Sequence, residues 1–323
     1  MQKHGTIHIV PWVLELFRKG MKPCAETADE ARVAGSYLGA RVNALRKAQN
    51  PDGGWAYFPG KQSWLEPTLF AALALHGEPE ADRAWELASS WQQKDGGWRP
   101  SAEVGFPHES TALAVTVAAS RGEFGGPFQS GVQWLLGAAG VESRLYKRAI
   151  LRVGSMLGML EDQRDYSLEA WPWKLETASW VEPTCHALVA LKKAAPKIPS
   201  KELRERVRLG EEMLLNVRCV DGGWNYGNRT ARGDELRSYP ETTGIALVGL
   251  QGRPELGPAF DLAAGMLRET SSPMARAWLT IAMRVNGISV PAHEASLTPD
   301  VLITALEALG APEGNHSLLK AAA

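Results

Sequence analysis

Four stretches of the chain are apolar on nearly every side and rich in alanine: residues 69–75, 112–119, 187–191 and 245–250. A helix that is apolar all round belongs inside a protein, so these stretches predict buried helices. Between them run longer segments whose apolar residues recur at helical spacing on one side only, at 28–47, 80–93 and 200–217. These predict outer helices with one wet face. Residues 126–140 and 142–160 read as a further pair, and 259–269, 273–286 and 299–309 as the C-terminal remainder. Almost nothing alternates with the period of a strand.

A short motif punctuates this rhythm. Asp52-Gly53-Gly54-Trp55, Asp95-Gly96-Gly97-Trp98 and Asp221-Gly222-Gly223-Trp224 are one tetrapeptide, preceded three residues earlier by Gln49, Gln92 and Arg218. Eleven residues after Trp55 and Trp98 come Glu66-Pro67-Thr68 and Glu109-Ser110-Thr111, each opening a buried run. The same spacing joins Trp171 to Glu182-Pro183-Thr184, which reveals a degenerate fourth copy at Glu169-Ala170-Trp171. Trp224 is seventeen residues from Glu241-Thr242-Thr243, so that loop is six residues longer. The unit is therefore outer helix, Gly-Gly turn, loop, inner helix, and the chain holds about six such pairs. Glycine permits the tight reversal, the aspartate can accept backbone N–H bonds, and the tryptophan can pack over the junction. Pro67 and Pro183 suit a first helical turn, where a glutamate also meets the positive end of the helix dipole.

Composition narrows the partners. The 323 residues carry a net charge of −1 without a basic stripe, which argues against nucleic acid. Three scattered cysteines, Cys24, Cys185 and Cys219, suggest a reducing, cytoplasmic setting. No apolar run reaches the ~18 residues of a spanning helix, which leaves peripheral membrane contact open. The division expected is an N-terminal extension at 1–24, one all-α toroid at 25–315 and a tail at 316–323.

Gln49-Asn50-Pro51-Asp52-Gly53-Gly54-Trp55 and Gln93-Lys94-Asp95-Gly96-Gly97-Trp98, each followed by a helix like residues 66–75, resemble the repeats of the terpenoid cyclase and protein prenyltransferase superfamily, squalene–hopene cyclases among them. The motifs span roughly residues 25–255. The resemblance implies an (α/α)6 barrel with parallel inner helices around a central apolar cavity. It also implies an acid-initiated cyclisation or isomerisation of an isoprenoid or similar apolar substrate. In such cyclases the acid lies in an Asp-x-Asp-Asp motif, which this chain lacks. Setting threonine against threonine places Glu66, Glu109, Glu182 and Glu241 at the proton-donor position, without the flanking aspartates. The zinc site of the prenyltransferases is not matched: Pro183 stands where its aspartate belongs, and Cys185 and His186 point about 100° apart on a helix. No cofactor and no metal is expected.

Other groups could contribute. Asp162 and Asp165 could share a helical face as an acid pair, and Glu176 could pair with Glu182. The long fourth loop carries Arg229, Arg232 and Arg237 with Tyr226 and Tyr239, a set that could grip a diphosphate. Lys61, Arg99 and Lys174 occupy the corresponding loops, and their charges would converge if the loops share a rim. Tyr57, Trp64, Phe106, Trp173 and Trp180 could stabilise carbocations with their ring faces. Trp64, Trp180 and Tyr239, two residues before the glutamate, equally suit a hydrophobic staple. Two other uses of the fold stay open: a non-catalytic toroid holding a lipid-like ligand or a protein, and a polysaccharide-active toroid with a carboxylate pair.

Overall fold

Six helices close on one another in a ring. The computed structural model describes residues 28–156, 164–231, 234–291 and 296–321, and the N-terminal extension lies outside the described residues. The helices in chain order are α1 (Ala28–Ala48), α2 (Leu65–Ala74), α3 (Pro79–Ser90), α4 (Ser110–Ser120), α5 (Gly126–Gly137) and α6 (Leu145–Met156). They continue as α7 (Val181–Ala194), α8 (Lys201–Asn216), α9 (Pro240–Gly249), α10 (Gly257–Glu269), α11 (Pro273–Val285) and α12 (Val301–Gly310). The inner ring runs α2, α4, α7, α9, α11, α12 and back to α2. Its members are buried almost all round; in α2 every residue but Glu66 is buried. The outer helices α1, α3, α5, α8 and α10 pack their apolar sides on this ring. The fold is an α/α toroid. Its strand content among the described residues is one antiparallel pair, β1 (Thr230–Ala231) with β2 (Asp234–Glu235), in the long fourth loop.

The repeated motif is a clamp. Gly53, Gly96 and Gly222 sit at φ of 91°, 94° and 92°, where a side chain would be strained. The aspartates accept from Gly54 N, Gly97 N and Gly223 N. Gln49 Nε2 donates to Gly53 O and to Glu80 O, tying the turn to the next outer helix, and Gln92 does the same with Gly96 O and Pro127 O. The indole N–H groups of Trp55, Trp98, Trp171 and Trp224 donate to Leu45 O, Ala88 O, Leu135 O and Leu214 O near the ends of outer helices. Thr68, Thr111, Thr184 and Thr243 each accept the backbone N–H of the matching tryptophan. The threonine of the second motif is thus half of the clamp, and Trp171 belongs to the series.

One expected pair is corrected. The described part of residues 142–160 supplies no inner helix: α6 packs chiefly on the short turn Val141–Ser143. It leaves Leu145 84% and Ile150 65% exposed. The fifth and sixth inner helices are α11 and α12. Between them the described chain has no outer helix, and a groove of ≈ 230 Å³ opens there beside Tyr37, Arg276 and Glu307. Close approach of α9 to α11 depends on Gly244, where an added Cβ would lie 2.8 Å from the α11 backbone.

Loops tie four of the ring's helix starts together. Leu65 N donates to Pro100 O, Glu109 N to Trp173 O, Val181 N to Tyr226 O, and Val301 N to Tyr57 O. Each of these helix starts is held by another unit's loop, and the last is held by the first. A buried ion pair, Arg41–Glu307 at 2.9 Å, crosses the same seam. The other end of the ring is covered by the turn Asn315–Leu319: Asn315 Nδ2 donates to Ala74 O, Gln251 Nε2 donates to Leu319 O, and Leu319 is buried. Among the described residues no helix is long and apolar enough to cross a membrane.

Candidate active site

Glu66, Glu182 and Glu241 are each the second residue of an inner helix, on α2, α7 and α9. Helices α2 and α9 stand opposite each other in the ring, so the field that Glu241 exerts on Glu66 acts across the axis. Glu182 feels both of the others. All three keep accessible surface although protein surrounds Glu66 and Glu182, as expected for groups facing an interior space. Burial is the first cause that raises each carboxylate, and repulsion adds to it at Glu66, from Asp300 and Glu241, and at Glu182, from Glu66 and Glu241. Glu182 is raised well above the ordinary carboxylate range. Asp300, the N-cap of α12, accepts from Ile303 N.

Two tyrosines border these acids. Tyr57 Oη donates to Glu66 Oε2 in a short contact, and its ring lies 6.2 Å from Trp64. Burial first, then Glu66, drives its phenol far above the usual value. Tyr226 stacks 5.6 Å from Tyr239, and burial followed by Glu241 and Glu182 raises it. Trp64, Trp180 and Tyr239 are the extended N-cap residues of α2, α7 and α9. Beside Tyr57 and Trp64 lies an open recess of ≈ 650 Å³ that also touches Phe58 and Lys61.

Glu109 departs from the set. It is the N-cap of α4, in helical rather than extended backbone, two positions earlier in its helix than the others. Its Oε1 accepts from Ser110 Oγ, and Oε2 meets His108 Nδ1. Burial, then Lys174, pushes His108 down to about 4, so the neutral imidazole makes no ion pair with Glu109. The His108 ring lies 6.3 Å from Trp173.

The cations do not converge on the acids. Lys174 Nζ sits 4.3 Å over the exposed Phe106 ring, Arg99 donates to Ala102 O, and Arg237 acts on Asp221 of the clamp. Arg232 and Asp162 lie outside the described residues. Asp165 is exposed and closes a local turn by accepting from Ser167 N, apart from the axis. Glu176 is exposed and pairs with Arg144 rather than with Glu182.

One turn below the acids is a layer that the sequence reading missed. Phe70, His186 and Trp278 come from alternate inner helices and meet on the axis, with ring centroids 6.0, 5.6 and 5.9 Å apart. Phe70 and His186 each follow an axial glutamate by four residues, which was the available signal. Leu113, Thr116, Val189, Val248 and Leu319 fill in around them, and the space left is ≈ 10 Å³. That is about one water's worth of room. The expected open central cavity is therefore closed at this depth. Cys185, next to His186, points instead at the Gly249 backbone of α9.

No known family's sequence profile matches the chain, and no curated protein matches it. Solved structures do. The type II terpene cyclase MstE from Scytonema, bound to its substrate geranylgeranyl dihydroxybenzoate, superposes with a TM-score of 0.51 at 17% identity, over 87% of this chain and 78% of that one. A complex of MstE with its product, merosterolic acid A, gives 0.51 at 18% identity, over 87% and 80%. A protein from Actinoplanes gives 0.50 at 20% identity, over 79% and 75%. The chain has the fold of the type II terpene cyclases.

Proposed function

We propose that this toroid is an acid-initiated cyclase or isomerase of an isoprenoid-like alkene, with Glu182 as the proton donor and Glu66 and Glu241 as the groups that keep it protonated. The observation that carries the reading is the convergence of three carboxylates on one axis, with no cation among the groups acting on them. Like charges in a desolvated site resist ionising together, so the cluster holds protons above the ordinary carboxylate range. A carboxylic acid kept neutral in apolar surroundings is suited to protonating a carbon–carbon double bond. Tyr57 orients Glu66, and the rings of Phe70, Trp278, Tyr226 and Trp64 offer faces to a cation. MstE binds a geranylgeranyl-derived substrate on the same fold, which supports the substrate class. The test is incubation of the purified protein with squalene and with farnesyl and geranylgeranyl diphosphates, followed by product analysis. Turnover abolished by Glu182→Gln is expected; turnover unaffected by that change would sink the assignment.

A second reading is a binding toroid without turnover. The narrow axis favours it, since with Phe70 and Trp278 as they stand only ≈ 10 Å³ is open beside His186. Native mass spectrometry of the purified protein distinguishes the two: a bound isoprenoid recovered unchanged, with no product from any substrate, belongs to the second.

The same reading includes contact with an anionic membrane surface. Helix α6 exposes Leu145, Tyr146, Ile150 and Val153 beside Arg144 and Lys147, an apolar face with a basic border. Such a face suits the interface of an acidic bilayer. Sedimentation with phosphatidylserine vesicles checks it: Ile150→Glu should release the protein, and no binding by the unaltered chain would refute it.

A further inference from the structure

We propose that His186 is the base that ends the reaction begun at Glu182, so that the substrate gains a proton and loses one within a single helical turn, forming one ring or moving one double bond. The proposal rests on Glu182 being the acid. Residues 182 and 186 lie four apart on α7 and therefore one above the other on the same face, with Cβ atoms about 6 Å apart. Coupling of Glu182 to Glu66 and Glu241 turns that face toward the axis. Contacts of the His186 ring with Phe70 and Trp278 do the same one turn lower.

His186 Nε2 is buried and has no hydrogen-bond partner among the described residues. A buried nitrogen left unpaired is rare and calls for an explanation. A site reserved for a proton taken from substrate supplies one. The walls around the ring, Phe70, Leu113, Thr116, Val248, Trp278 and Leu319, hold no titratable group, and Glu182 is the acid one turn above. Burial alone pushes His186 down to about 4, so it is a neutral imidazole at neutral pH, while Glu182 is pushed the other way and keeps its proton. Environments that drive two groups apart in this manner assign the acid and the base.

The chemistry balances without another reactant. The Glu182 O–H bond breaks as a C–H bond forms at one alkene carbon, leaving a cation on the other. A second double bond attacks that cation in a cyclisation; in an isomerisation the cation stays where it formed. A C–H bond next to the cation then breaks, its electron pair becomes the new double bond, and the proton goes to His186. When the product leaves, His186 loses its proton to solvent and the Glu182 carboxylate takes one from solvent, which resets the pair. Phe70 and Trp278 flank the base with ring faces that stabilise positive charge, and the closed axis leaves little room for water to capture the cation. Polycyclisation would carry the cation several rings away from the acid, out of reach of a base one turn below it.

The experiment compares the full chain with its His186→Gln and His186→Phe variants on farnesyl and geranylgeranyl diphosphates in D₂O. Thermal melts confirm folding, and Phe conserves the ring shape if Gln does not fold. From the unaltered protein we expect an isomer of the substrate carrying one deuterium and no added oxygen. In the variants kcat should fall about 100-fold with KM within about threefold, or the product should become a water-captured alcohol. The acid limb of the kcat profile near pH 4 should also vanish. Unchanged kcat, product and acid limb in both variants would overturn the role of His186 while leaving Glu182 intact, and a polycyclic product would overturn the one-turn limit. Absence of turnover by the unaltered protein would instead remove the acid assignment on which the proposal rests.

Discussion

The two ends of the ring are made by the same six helices and finished in opposite ways. At the C-terminal end helix-end carbonyls are answered by side chains. Lys192 Nζ donates to Gly249 O and Gln251 O, Gln251 reaches Val248 O and Leu319 O, and the chain's last described turn lies across the opening. At the N-terminal end Glu66, Glu182 and Glu241 face one another without a cation among the groups acting on them. Helix dipoles favour negative groups there, but the attraction does not offset burial and mutual repulsion, since all three carboxylates are raised. A fold has no need of buried like charges for its stability. The C-terminal end shows that this chain can close an end completely, so the acids at the other end point to chemistry rather than construction.

The sharpest way to break this contrast is Glu182→Gln. We expect turnover to drop about a thousandfold or more, with no loss of melting temperature. The sign follows from burial: the folded chain holds a proton on Glu182 above pH 4.5 that the unfolded chain releases, so stability falls as pH rises through the raised value. Thermal melts at pH 6 and pH 9 should show the variant gaining on the parent at the higher pH.

Trp224→Ala attacks construction instead. Loss of a fully buried indole and its bond to Leu214 O should cost about 3–5 kcal/mol in urea unfolding. Acid titration probes the floor between the two ends. His186 takes its proton near pH 4 when folded and near 6.5 when unfolded. Stability is therefore lost as pH falls from 6.5 to 4, by about 3 kcal/mol at the lower limit. His186→Phe should remove that part of the pH dependence, and identical slopes in parent and variant would refute it. Leu319→Ala, at the closed end, should cost about 2 kcal/mol in the same urea unfolding measurement. The smallest effect expected is from Tyr57→Phe, about a tenfold loss of kcat with KM preserved, because it removes the hydroxyl that holds Glu66 but not the acid itself.

Much of the architecture was legible because the clamp needs particular chemistry. A positive-φ turn selects glycine, an indole N–H must reach a helix-end carbonyl, and a threonine hydroxyl must meet the tryptophan backbone, so the same letters recur. The candidate acids became visible through the spacing of that threonine. Glu109 shares the spacing yet lies against His108, and α4 starts two residues later relative to it than the other inner helices do; its own three-residue motif gives no sign of this. Phe70 follows Glu66 by four residues, a spacing that marks the axial side, but Trp278 has no such glutamate before it, and the amphipathic pattern of α11 shows only that it is buried. Residues 142–160 read as half of a helix pair because periodicity records that a face is apolar, not what covers it.

The relay of loop bonds that ends with Val301 on Tyr57 has a topological consequence. An open stack of repeats has two exposed ends and needs caps, whereas here the first and last units serve each other. The ring therefore has no first or last unit in its architecture. A circular permutant with new termini in the loop at 195–200 is expected to keep the loop bonds of the acid-lined rim.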